Sequence, residues 1–194
     1  IQLNVYTTTV PFEFFDTDLR GVKIVKPTVF GDERGQFMEV YKREAFKQAG
    51  IEEEFVQDNC SKSEANVLRG LHYQRGDAAQ TKVVRCSGGA ILDVVVDLKY
   101  DSDSFGRSKS VILSEHNNRM LYVPRDYAHG FLTLTDDATV RYKVDSKYSP
   151  EDEAGIIWDD PALEIDWPVD DPKLSEKDTT WPTLETAVER DLVF

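Results

Sequence analysis

Ala90-Ile91-Leu92-Asp93-Val94-Val95-Val96-Asp97-Leu98 is the most regular stretch of the chain. Leu92, Val94, Val96 and Leu98 fall on one side of an extended backbone, and Ile91, Asp93, Val95 and Asp97 on the other. That is period-2 alternation with one wholly apolar face and one mixed face, which predicts a strand set against a core. Gly88-Gly89 stands just before it, between two apolar runs, and predicts a tight hairpin.

Similar runs extend in both directions. They are Val22–Val29, Gln36–Tyr41, Phe55–Cys60, Val67–Gln74, Thr81–Ser87, Lys109–Ser114, Arg119–Val123, Gly130–Thr135 and Thr139–Val144. Pro124 closes one of them, as a residue without a backbone donor should. The spacing is too short for crossover helices, so an all-β sandwich or barrel is expected, with Ala90–Leu98 central. Short helices are expected at Arg43–Ala49, before Gly50, and at Leu184–Leu192. The first 20 residues, rich in Thr and Phe, read as an edge strand or a dimer arm.

Hydrophobic residues make up 40% of the chain and charged residues 30%, which excludes a disordered or collagen-like chain. The net charge of −13 is concentrated at the end: residues 144–194 carry 15 acidic and 4 basic side chains. Such a surface repels nucleic acid and anionic membranes, so neither is an expected partner. No apolar run reaches the length of a membrane helix. Ile1-Gln2-Leu3-Asn4 lacks the basic-then-apolar pattern of a secretory leader. Cys60 and Cys86 read as free thiols, and the expected compartment is the cytoplasm.

The residues that carry chemistry are few. Of three histidines, His116 lies in a polar turn and is given no role. His72 is either a core hydrogen-bonder or a general base. Arg69 is on its strand and Lys82 on the next, and a cation beside a base stabilises an oxyanion formed by proton removal. Strict alternation separates Arg69 from His72, so they share a pocket only if Gly70 bulges the strand. His129 precedes Gly130, where the backbone is expected to approach a neighbour closely. Tyr142, flanked by Val140 and Val144, is either a core tyrosine or a proton donor. No His-x-His, dinucleotide-binding glycine motif, P-loop or nucleophile elbow occurs, so neither a metal site nor a bound dinucleotide or NTPase reaction is expected. The residues alone leave two readings open: proton transfer beside a carbonyl, or sugar binding without catalysis.

Seven blocks resemble the dTDP-4-dehydrorhamnose 3,5-epimerase family, in order and spacing. They are Val29–Gly35, Phe55–Asn59, Leu68–Gln74, Ala128–Phe131, Tyr142-Lys143, Tyr148-Ser149-Pro150 and Trp158–Pro161. The resemblance runs from about Val22 to Asp178. It implies a single domain over 1–194 with a cupin-type jelly roll and site-closing segment at 22–178, an N-terminal extension at 1–21 and a C-terminal tail at 179–194. It also implies a homodimer without cofactor, acting on dTDP-4-dehydro-6-deoxyglucose. By the same resemblance His72 is the base, Asp178 its orienting carboxylate, Lys82 the cation at the C4 oxygen and Tyr142 the proton donor. Phe30, Arg34, Glu39, Gln57, Asp58, Asn59, Arg69, His129, Glu153 and Lys177 would contact the nucleotide sugar, and Tyr148 would stack on thymine. Cys60 and Thr81 depart from the family pattern, which often has His and Gly there.

Overall fold

The computed structural model describes residues 10–194; the first nine residues of the expected N-terminal extension lie outside them. Two antiparallel sheets face each other. The six-stranded sheet runs in the order β1 (Phe12–Asp16), β2 (Lys23–Pro27), β10 (Met120–Val123), β7 (Lys82–Gly88), β12 (Asp137–Val144), β5 (Gln57–Glu64). The five-stranded sheet runs β13 (Glu153–Gly155), β6 (Leu68–Gln74), β11 (Tyr127–Thr133), β8 (Ala90–Asp97), β9 (Ser108–Ser114). A separate hairpin, β3 (Val29–Asp32) with β4 (Gly35–Met38), leaves the sandwich. This is a cupin-like jelly roll. The sheets stay open rather than closing into one barrel. Two short helices, α1 (Arg43–Gln48) and α2 (Leu184–Glu189), complete it.

Strand β8 has neighbours on both sides, as expected of a central strand, and its apolar face meets a core as expected, while its mixed face is buried as well. Val94, Val96 and Leu98 pack against Ile156, Leu163, Leu184 and Ala187, which cover the outside of the sheet. The mixed face is the one that looks into the sandwich, where Ile91 and Val95 meet Val84, Cys86 and Val140 of the opposite sheet. Asp93 and Asp97 are therefore buried too. Asp97 is satisfied by the hydroxyls of Ser102 (2.7 Å) and Ser104 (2.6 Å) and by the Lys99 backbone N–H (2.9 Å).

The hairpin expected at Gly88-Gly89 needs correction. Strands β7 and β8 lie in different sheets, so the pair makes a crossover corner and not a hairpin. Gly89 has φ +71°, and a Cβ there would stand 2.2 Å from the Asp137 carbonyl oxygen. The glycines serve a close approach between layers. The expected Val22–Val29 run divides at Thr28 into β2 and β3. Strand β5 extends to Glu64. The second helix stops at Glu189 rather than Leu192: Asp191 is left-handed (φ 55°) and the Leu192 N–H bonds back to the Ala187 carbonyl at 2.9 Å, which ends the helix.

The bulge required to unite Arg69 and His72 is present. The β6–β11 register shifts between the His129↔His72 and Phe131↔Arg69 pairs. Gly70 sits at the shift with φ +130°, and a Cβ on it would lie 2.5 Å from Gly130 Cα. Gly130 meets the same crowding from the other side, 2.7 Å from the Arg69 carbonyl oxygen. Gly70→Ala is expected to lose about 3 kcal/mol through backbone strain and overpacking together. A thermal unfolding midpoint within a degree of wild type would remove that explanation of the bulge.

Candidate active site

The two sheets part at the β5–β6–β13 end and enclose a cavity of about 510 Å³. The five-stranded sheet supplies Arg69 and His72 from β6, His129 from β11 and Glu153 from β13. The six-stranded sheet supplies Lys82, at the start of β7, and Tyr142 from β12. Tyr148, from the loop after β12, and Lys177 and Asp178, from a 3-10 turn at Lys177–Thr179, close the rim. His72 and Tyr142 thus stand on opposite walls of one cavity.

Asp178 reaches His72 across 106 residues of chain. The C-terminal segment is fastened to β6 by the Lys173 N–H to the Asn66 carbonyl (2.8 Å) and the Leu68 N–H to the Lys173 carbonyl (3.0 Å). His72 Nε2 then bonds Asp178 Oδ1. The Ser175 hydroxyl donates to Asp178 Oδ2 at 2.8 Å, and the Trp181 indole N–H donates to Oδ1 at 3.3 Å. Trp181 packs flat because residue 155 is glycine; a Cβ there would lie 2.6 Å from the indole ring. Burial pushes the Asp178 carboxyl up, but the bonds from His72, Ser175 and Trp181 outweigh it and hold the group below the ordinary range. Asp178 is therefore an anion at neutral pH, and it engages only one ring nitrogen of His72.

Across the cavity, burial pushes the Lys82 ammonium down to about 8, against the pull of Asp93 and Glu153. Burial pushes the Tyr142 phenol up, opposed by the Arg69 guanidinium, so it is a protonated donor at neutral pH. Glu153 accepts from Lys177 (2.6 Å) and Tyr148 (2.9 Å). His129 is fixed by Asp93, Nε2 to Oδ1, at 2.9 Å.

Nine of the fifteen expected site residues meet in this cavity. The others do not. Phe30 and Arg34 are on the β3–β4 hairpin, in a different hollow, with Arg34 bound to Asp32. Glu39 follows that hairpin and pairs with Lys42 at 3.6 Å. Gln57 opens β5 and donates to Asn59 at 2.8 Å. Asp58 is bound by Lys143 at 2.8 Å, and it lines a second cavity with Asn59 and Cys60. Thr81 is buried; its N–H donates to Asp145 Oδ1 at 2.7 Å, and its hydroxyl oxygen has no hydrogen-bond partner among the described residues. Sequence reasoning missed Ser175 and Trp181, which hold Asp178, and Asp93, which holds His129. The first two lie in a tail without strand periodicity.

An imidazole bonded to a carboxylate, a phenol from the facing sheet and an ammonium line one cavity of a jelly roll, a set of groups suited to acid–base chemistry. The comparisons with known proteins name the class, an isomerase. Residues 16–186 match the family model described as dTDP-4-dehydrorhamnose 3,5-epimerase, and the chain belongs to that family of epimerases. An enzyme of that name from Methanothermobacter thermautotrophicus is 48% identical over 176 residues, covering 89% of this chain and 95% of its own. The crystal structure of a dTDP-6-deoxy-D-glucose-3,5-epimerase from Legionella pneumophila, in complex with dTDP-4-keto-L-rhamnose, is 39% identical. It superposes with a TM-score of 0.89, over 94% of this chain and 97% of that one. A 3'-monoepimerase from Streptomyces bikiniensis, in complex with dTDP-quinovose, is 37% identical with a TM-score of 0.87, over 91% and 90%.

Proposed function

We propose that the protein epimerises dTDP-4-dehydro-6-deoxyglucose at C3 and C5 to give dTDP-4-dehydrorhamnose, a step of dTDP-rhamnose synthesis. The observation that carries this reading is the convergence of His72–Asp178, Lys82 and Tyr142 on one cavity from two facing sheets. The C4 ketone acidifies the hydrogens at C3 and C5. His72 removes one, the electron pair moves onto the C4 oxygen as an enolate, and the Lys82 ammonium stabilises that charge. Tyr142 returns a proton from the opposite face, which inverts the carbon. Asp178 orients the imidazole and stabilises its protonated form. Arg69 and Lys177 supply positive charge for the diphosphate in an otherwise acidic protein, and His129 a further polar contact. Tyr148, exposed at the rim, offers its ring to thymine.

Every step of this reading is assigned to a side chain of the cavity, and none to a metal. No helix of the described residues is long and apolar enough to cross a membrane, and the two free thiols fit a reducing compartment. We infer a homodimer as well: Phe30, Arg34 and Glu39 lie outside their own chain's cavity, so contact with substrate requires a second copy. A single-chain mass in sedimentation at assay concentration overturns that inference.

The direct test is solvent deuterium. In D₂O the product should carry deuterium at both C3 and C5. Label at one carbon alone would make the protein a single-centre epimerase, the activity that the Streptomyces bikiniensis relative's name carries. Label at neither would leave a nucleotide-sugar-binding module. The pH profile gives a second check. Lys82 acts as an ammonium, which is intact below about pH 8 and lost above it, so kcat/KM is expected to fall as pH rises through about 8. A profile flat well beyond that point would take Lys82 out of the enolate-stabilising role.

A further inference from the structure

Asp93 is a fully buried carboxylate on the inner face of β8, opposite Phe131 of β11. One oxygen, Oδ1, accepts from His129 at 2.9 Å, and the other, Oδ2, is buried with no hydrogen-bond partner among the described residues. A buried carboxylate in that state is costly unless a cation stands near.

The charged groups around the cavity show which cation and carboxylate remain to balance each other. On β6, Arg69 adds positive charge and His72 is spent on Asp178. Asp178 is in turn saturated by His72, Ser175 and Trp181. On β13, Glu153 is occupied by Lys177 and Tyr148. Tyr142 of β12 is neutral. Lys82 makes no ion pair among the described residues, and Asp93 is the carboxylate with an unused oxygen. The pull of Asp93 on Lys82 is the larger of the two that oppose its desolvation.

We propose that Asp93 is a positioning residue of the active site: it fixes the His129 ring by its Nε2 edge, and its charge balances the Lys82 ammonium through the low-dielectric floor between the sheets. This makes two carboxylate–histidine pairs side by side, on strands that are themselves paired at His129↔His72. Asp178 serves the ring that moves a proton. Asp93 serves the ring that holds substrate and the cation that holds the enolate.

The inference rests on the epimerase reading for its role in catalysis, but its test is made on the protein alone. Lys82 is titrated by ¹³Cε NMR in wild type and in Asp93→Asn, an isosteric change that removes the charge. The Lys82 midpoint is expected to fall by about one pH unit, and the alkaline limb of kcat/KM to move with it. A merely structural loss would lower kcat/KM at every pH and leave the limb in place. A folded Asp93→Asn protein with the wild-type Lys82 midpoint overturns the proposal. If that variant does not fold, the ¹⁵N spectrum of His129 in wild type decides: Nε2 should carry the proton, and a bare Nε2 overturns the assignment. A shifted Lys82 in a protein with no epimerase activity would sink the epimerase reading and leave the inference standing. An active enzyme whose Lys82 does not move would sink the inference alone.

Discussion

His72→Asn should neither epimerise the 4-keto sugar nucleotide nor exchange its C3 and C5 hydrogens with D₂O. Asparagine keeps a polar group of similar reach, so a bond to Asp178 can survive, but an amide cannot accept a proton at neutral pH. A general base contributes on the order of 10²–10⁴-fold, and the loss should fall in that range. The wild-type bond to Asp178, itself held by Ser175 and Trp181, fixes the orientation of the imidazole. ¹H NMR of the substrate in D₂O reads both positions at once. Exchange at the wild-type rate in His72→Asn would mean that another group takes the proton.

Tyr142→Phe should behave differently, because it removes the donor and leaves the base. The ring of Tyr142 packs against the inter-sheet core beside Val140, so phenylalanine keeps the packing and the fold. His72 should still abstract and return a proton on its own face, and deuterium should still enter the substrate. Inversion, which needs a proton from the opposite wall, should fall by roughly 10²-fold or more. The diagnostic is thus a ratio, exchange over epimerisation, that rises in Tyr142→Phe and does not rise in His72→Asn. Normal inversion at both carbons in Tyr142→Phe would return Tyr142 to the role of a core tyrosine.

The strands were legible where alternation or apolar runs marked them, and the reading failed where distant parts of the chain decide. Gly88-Gly89 announces a sharp change of direction, but nothing local says whether the chain returns to its own sheet or crosses to the other. The alternation in β8 marks one apolar and one mixed face, but it does not tell that Asp93 and Asp97 of the mixed face are inside, held by partners that a strand pattern does not reveal. Strand β5 is polar along its length and sits at a sheet edge, which weakens its hydrophobic signal. The three residues of β13 are too few to show a period.

The site divides in the same way. Lys82 stood out as a cation on the strand after His72, and Gly70 was recognised as the place where a bulge would have to occur. Asp178 was reached only through family resemblance, since a contact spanning 106 residues leaves no trace in local sequence. Phe30, Arg34 and Glu39 were grouped with the site by resemblance alone, and within this chain they lie outside the cavity.

The fastening of the C-terminal segment to β6 has a bearing on synthesis at the ribosome. The jelly-roll strands end at Gly155, so a nascent chain of that length has already received His72, Lys82 and Tyr142. It has no carboxylate behind the imidazole until residue 178 has emerged and Lys173 has clipped onto β6. The last fifth of the polypeptide therefore brings both the carboxylate partner of His72 and the Ile156, Leu163, Leu184 and Ala187 side chains that cover the five-stranded sheet.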